Sequence, residues 1–201
     1  MVSHLVFDIG RVLLHWDPEL PYRRLIPDPQ ERAFFLNQVC NGDWNAEQDR
    51  GRAWADGEAV AIKAHPQWEE MIRAYRTHWH EMVPYAVPQT PEMVEALVTA
   101  GYDVTMLTNF AADTFQEAKG RFSVLSLGRG TTVSGELGLL KPERAIFERH
   151  AQEFDLDPSK ILFFDDSAAN VAGAKAAGWQ ARLFTDAASM RCDLAEAGFP
   201  V

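Results

Sequence analysis

Three short apolar runs, each closed by polar or acidic residues, constrain this chain more than any other feature. His4-Leu5-Val6-Phe7 stops at Asp8, Asp103 to Leu107 stops at Thr108-Asn109, and Ile161 to Phe164 stops at Asp165-Asp166. None has helical spacing, so each reads as a strand buried on both faces that gives way to a loop at its carboxyl end. Ala181 to Phe184 reads as a fourth strand, and Thr132 to Leu137, alternating around Gly135, as a small hairpin or a sheet edge. Helical patterns lie between them: Met93, Val94, Leu97 and Val98 before Gly101, Ala145 to Phe147 after Pro142, and Val171 and Ala174 before Gly178. Proline suits a first helical turn and glycine a helix end. Strand and helix in alternation predict an α/β fold, a Rossmann-like doubly wound parallel sheet.

From Asp8 to Thr108 is 100 positions, too many for one crossover helix. The excess reads as helical. Glu31 to Cys40 carries Phe34, Phe35 and Val39, and Gln67 to Met82 sets Trp68, Met71, Ile72, Tyr75, Trp79 and Met82 along one stripe. Large apolar residues at that spacing face a core. Proline-bearing stretches at 15–29 and 84–91 bound the insertion, which predicts a catalytic core at 1–14 and 88–201 and an inserted helical cap at 15–87.

Composition excludes several function classes. With 201 residues, 47% hydrophobic and 24% charged, the chain is an ordered globular one with room for a core and an insertion. A formal charge of -10 repels a phosphate backbone, which argues against a nucleic-acid partner. Cys40 and Cys192 lie far apart and in no metal-ligand spacing, which fits a reducing cytoplasm. The first apolar run is broken by Asp8, well short of the roughly 20 residues that span a bilayer, so a soluble protein without a targeting segment or membrane partner is expected.

Open α/β sheets bind ligands at the carboxyl ends of their strands, so Asp8, Thr108-Asn109 and Asp165-Asp166 are expected to converge on one crevice. Lys141, between Gly138-Leu139-Leu140 and Pro142, adds an ammonium. Carboxylates crowded together repel unless a cation sits among them, and a hard ion with oxygen ligands, Mg2+, is the expected one.

Asp8-Ile9-Gly10 after a strand, Thr108-Asn109 after a second, Lys141-Pro142, and Phe164-Asp165-Asp166-Ser167-Ala168-Ala169-Asn170 together resemble the four motifs of the haloacid dehalogenase-like (HAD) hydrolase superfamily. The resemblance spans nearly the whole chain and extends to the cap inserted after the first motif. It implies a phosphatase acting on a small phosphorylated metabolite. Asp8 is then the nucleophile that forms an aspartyl intermediate. Thr108 and Asn109 contact the transferring group, and Lys141 neutralises Asp8 and the phosphoryl charge. Asp8, the Gly10 carbonyl, Asp166 and Asp165 hold magnesium, Asp165 directly or through water, while Ser167 and Asn170 support the loop.

Two positions depart from the common phosphatase pattern. Where most family phosphatases carry a second Asp, two residues after the nucleophile, this chain has Gly10, as does a subset resembling sugar-1-phosphate phosphatases. A good leaving group such as an anomeric oxygen needs less acid assistance, which leans the substrate toward a sugar phosphate. Arg11 stands where that subset has Asn, placed to contact phosphate, to pair with an acid or to face solvent. Gly10 equally fits a 2-haloacid dehalogenase, which needs no metal, but two extra carboxylates give a metal-free site on an anionic substrate nothing, so the phosphatase ranks first. A non-catalytic binding module is the third reading. In the cap, Trp44-Asn45 and Asp49-Arg50-Gly51 read as a polar stretch between helices that faces the site, with Arg50 either holding substrate or pairing with a neighbouring acid.

Overall fold

The computed structural model describes residues 1–200. Five strands form one wholly parallel sheet in the order β3-β2-β1-β4-β5: β1 (His4–Phe7), β2 (Asp103–Thr108), β3 (Thr131–Val133), β4 (Ile161–Asp165) and β5 (Gln180–Leu183). Every residue of β1 and β4 is buried, which is why both appear in the sequence as unbroken apolar runs. His4 pairs with Asp103 on one side and with Ile161 on the other, so β1 is the centre of the sheet. The chain moves outward from β1 to β2 and β3, then crosses to β4. That reversal makes the β1/β4 boundary the switch point where an open sheet gapes at its carboxyl edge.

The pleat sorts side chains to two faces. Leu5, Phe7, Met106 and Phe164 join one hydrophobic cluster, while Val6, Leu107, Phe163 and Ala181 join another. Helices cover both. The first face packs α7 (Thr90–Thr99), α8 (Ala112–Arg121) and α12 (Ala187–Glu196), and the second packs α10 (Arg144–Glu153) and α11 (Ala168–Ala176). The edge feature expected at Thr132 to Leu137 is the short strand β3 followed by a single helical turn, α9 (Ser134–Leu137), closed by Gly138 at φ 72°.

The insertion is a helical cap: α1 (Glu19–Leu25), α2 (Pro29–Phe34) continued by a π turn (Phe35–Val39), α3 (Gly42–Asp49), α4 (Trp54–Ala64), α5 (Glu69–Thr77) and α6 (Trp79–Met82). The long stripe from Gln67 to Met82 is broken at His78, yet Ile72, Tyr75, Trp79 and Met82 all stay buried across the break. Tyr22 packs at a tilt against Phe35 and Tyr75, and Trp44 edge-on against Tyr75, with ring centroids 4.8–6.2 Å apart, and this aromatic nucleus belongs to the same cluster as the first face of the sheet. The two connecting segments run antiparallel: His15 N–H donates to the Tyr85 carbonyl and Val87 N–H to that of Leu13. Among the described residues no helix is long and apolar enough to cross a membrane.

Candidate active site

Asp8 follows β1, Thr108 ends β2 and Asp165 ends β4; since β1 lies between the other two, their polar ends meet across adjacent strands. Lys141, from the loop before α10, fills the middle. Its ammonium lies 2.7 Å from Asp8 Oδ1 and 2.7 Å from Asp165 Oδ2, and donates to the Leu107 carbonyl at 3.1 Å. All three donor positions are used. The Lys141 backbone is fixed by Asn109, whose Oδ1 accepts from the Lys141 N–H (2.8 Å) and whose amide donates to the Lys141 carbonyl (2.9 Å). Asp165, fully buried, also accepts from the Ser167 N–H (2.8 Å) and from Asn170 Nδ2 (3.0 and 3.1 Å). Ser167 in turn caps α11.

Carboxylate oxygens of Asp8, Asp165 and Asp166 approach within 4.8 Å of one another. Burial lifts the Asp8 carboxyl to about 7, against the pull of Lys141 and with a further push from Asp165. Burial opposes the charge of Lys141, but Asp8 and Asp165 outweigh it and hold the ammonium above its ordinary value. Burial and Asp165 raise Asp166, only partly offset by Arg11, whose guanidinium stands 3.8 Å away. Three carboxylates thus face one buried ammonium, an all-oxygen donor set with an excess of negative charge. Such a set fits a small divalent cation such as magnesium.

The remaining expected residues take distinct places. Gly10 lines the crevice of Asp8, Lys141 and Asp166 and also an adjoining cavity, and a Cβ there would meet nothing within 4 Å. Thr108 is buried at its strand end, and its hydroxyl has no hydrogen-bond partner among the described residues. Arg11 stands at the rim of the crevice, 3.8 Å from Asp166 and with more than half of its side chain exposed. Arg50 is turned away from the crevice: it pairs with Glu143 of the core and donates to the Gly138 carbonyl at 3.2 Å, tying cap to core.

Asp49 lies in a helix, α3, and not in a loop between helices, while Arg50 and Gly51 form the turn between α3 and α4. Asn41 caps α3 by accepting from the Trp44 N–H, and Trp44 and Gln48, one turn apart, are its buried face. Otherwise polar, the segment carries no apolar stripe that marks a helix. Asp49 closes α3, reaches into the cavity shared with Gly10 and Asn109, and accepts from the Ala111 N–H (3.1 Å) and Asn45 Nδ2 (2.9 Å). Its backbone carbonyl accepts from Ser134 Oγ at 2.6 Å. Glu143 and Ser134, which hold the cap in place, carry no signal in the sequence because their partners are about 90 positions away.

The haloacid dehalogenase-like hydrolase family model matches residues 29–178. A sesquiterpene phosphatase, astK, of Aspergillus oryzae is 25% identical over 187 residues, covering 90% of this chain and 89% of that protein. The HAD family enzyme bt-2542 of Bacteroides thetaiotaomicron in its magnesium complex superposes with a TM-score of 0.73 at 19% identity, over 92% of this chain and 94% of that one. The L-2-haloacid dehalogenase of Xanthobacter autotrophicus, with chloropropionic acid covalently bound, superposes at 0.65 and 17% identity, over 100% of this chain and 85% of that one. These two structures share the fold.

Proposed function

This chain belongs to the haloacid dehalogenase-like hydrolase family, and from that premise we propose that it is a magnesium-dependent phosphatase acting on a small phosphorylated metabolite. The observation that carries the reading is the charge of the crevice. A dehalogenase attacking an anionic haloacid gains nothing from Asp166 beside Asp8, whereas a phosphatase uses the same carboxylates to hold a cation against the phosphate. The astK relative, by its name a phosphatase, supports the same choice.

In this proposal Asp8, Asp166 and the Gly10 carbonyl hold the ion, and Asp165, whose oxygens are occupied by Lys141, Ser167 and Asn170, completes the cluster from its buried side. Bound magnesium supplies charge neutralisation at the phosphoryl oxygens. Asp8 attacks phosphorus in line, and Lys141, fixed by two carboxylates and a carbonyl, offsets the charge that develops without having to reorganise. Thr108 offers a hydroxyl with a free donor to a phosphoryl oxygen. Asn109 acts at one remove, by locking the Lys141 backbone. Water then hydrolyses the aspartyl phosphate. Trp16, Trp79 and Phe110 wall the adjoining cavity, so the leaving alcohol has an apolar or ring face; a sugar phosphate is one such substrate.

The test is phosphate release from p-nitrophenyl phosphate and a panel of sugar phosphates, with magnesium and with chelator, beside halide release from 2-chloropropionate. Magnesium-dependent phosphate release without halide release is expected. Chelator-resistant halide release overturns the reading in favour of a dehalogenase, and silence in every assay in favour of a binding module.

A further inference from the structure

Cleavage of a phosphomonoester leaves an alkoxide that needs a proton. The titratable side chains lining the crevice and the cavity that opens from it are Asp8, Lys141, Asp166, Arg11, His15 and Asp49. Asp8 is the nucleophile, Asp166 faces the ion, Lys141 is locked between two carboxylates, and arginine does not give up a proton. His15 is stacked on Tyr85, ring centroids 4.7 Å apart, and faces an outer groove as well. Asp49 remains.

Its surroundings suit a proton carrier. From α3, Asn45 contributes an amide donor; from the loop after β2, Ala111 contributes an N–H; from α5, Tyr75 stands close enough to feel its charge. No cation pairs with Asp49 among the described residues, since the adjacent Arg50 is spent on Glu143 and Glu47. Burial accordingly lifts the carboxyl to about 7, against the pull of the Ala111 N–H. Gly10, Trp16 and Asn109 border both the crevice and the cavity of Asp49, so a leaving group attached to phosphorus at Asp8 extends toward this carboxyl. Position 10, on that shared wall, carries no side chain to compete for the space.

We propose that Asp49, delivered by the cap, is the general acid of this hydrolase, donating its proton to the leaving oxygen where no core side chain can. This rests on the phosphatase reading. As the Asp8–phosphorus bond forms and the phosphorus–oxygen bond breaks, the carboxyl proton passes to the departing oxygen, giving a neutral alcohol and the Asp49 carboxylate. In the second step water attacks phosphorus and releases its proton to that carboxylate, which frees Asp8 and inorganic phosphate and restores the acid. Because Ser134 and Ala111 of the core hold the Asp49 carbonyl and carboxyl, the proton donor is in place only when the cap is seated.

A leaving-group series tests it: 2,4-dinitrophenyl, p-nitrophenyl and phenyl phosphate, each with magnesium, on wild type and Asp49→Asn. The dinitrophenolate leaves without a proton, while phenoxide needs one. The proposal expects Asp49→Asn to lose at least about 100-fold in kcat/KM on phenyl phosphate and about threefold or less on the dinitrophenyl ester. An equal loss across the series, as a purely structural role at Ala111 gives, overturns it, as does no loss. Wild type alone provides a second reading, independent of whether the variant folds. Its kcat/KM on phenyl phosphate falls above about pH 7 relative to that on the dinitrophenyl ester, and parallel profiles overturn the assignment. Should wild type release phosphate from none of the three esters, the phosphatase reading fails first and takes the proposal with it.

Discussion

Lys141 shows what a single buried charge does in this crevice. Removed from water, an ammonium is expensive unless every donor is used and its charge is matched, and Asp8, Asp165 and the Leu107 carbonyl meet both conditions. That these residues converge was legible, because a buried parallel strand ends abruptly in sequence and ligands gather at strand ends. Which acid of Asp165-Asp166 turns inward was not: the pleat decides it, and Asp165, the last residue of β4, faces the core. Nor could spacing reveal a buried polar chain beneath the sheet. His4 Nε2 and His150 Nε2 both meet Thr105 Oγ1, at 2.8 and 2.9 Å, and His150 Nδ1 meets Thr132 Oγ1 at 2.8 Å. Burial holds the His150 imidazole down to about 3, helped by the positive neighbours His4, Arg129 and Lys141. Below the unfolded value of about 6.5, the unfolded chain therefore binds a proton that the native state refuses, and the stabilisation falls by about 1.4 kcal/mol per pH unit. The carboxyls of Asp8 and Asp49, raised by burial, act with the opposite sign, so the effect must be read as a difference. Urea unfolding of wild type and His150→Gln is expected to show a stability gap that narrows by about 2 kcal/mol between pH 7 and pH 5. A gap that widens on acidification contradicts a neutral buried His150.

At the scale of elements, legibility followed burial. Strands β1, β2 and β4 stand out because both their faces are covered, and α7, α10 and α11 because their apolar residues repeat at helical spacing between proline and glycine signals. Helix α3 escaped because its buried face is only Trp44 and Gln48. A second element-level contact invisible in sequence is the approach of α11 to the Lys141 loop. A Cβ on Gly173 would lie 2.7 Å from the Pro142 carbonyl oxygen, 2.9 Å from Pro142 Cβ and 3.1 Å from the Phe147 ring, and the Pro142 backbone and the rigid rings leave it no room. Gly173→Ala is expected to cost about 1–3 kcal/mol by overpacking and, by shifting Lys141, to lower phosphatase kcat at least tenfold. Gly120, in the exposed last turn of α8, is the matched control, since a Cβ there meets nothing within 4 Å. Gly120→Ala is expected to gain about 0.5–1 kcal/mol in urea unfolding with activity unchanged. Equal behaviour of the two variants contradicts the packing argument.

The whole molecule is a core and a cap that share one hydrophobic cluster and are joined by two paired connecting segments. The cap's helical nature was readable from the 100 positions that separate the first two motifs and from the aromatic stripe. Its fastening was not, because Arg50–Glu143 and Asp49–Ser134 join residues from distant parts of the chain. Half-exposed pairs such as Arg50–Glu143 add little stability, about 1 kcal/mol or less, so the cap is held in register by them more than it is held down. Everything proposed for the assembled crevice passes through Asp8. The most direct test is the rate of magnesium-dependent p-nitrophenyl phosphate hydrolysis by wild type and by Asp8→Asn, with circular dichroism confirming that the variant is folded. The expected result is a fall in kcat of at least about 1,000-fold, the size of loss seen when a nucleophile is removed. A folded Asp8→Asn that keeps its rate within tenfold of wild type contradicts the nucleophilic role of Asp8 and the mechanism built on it.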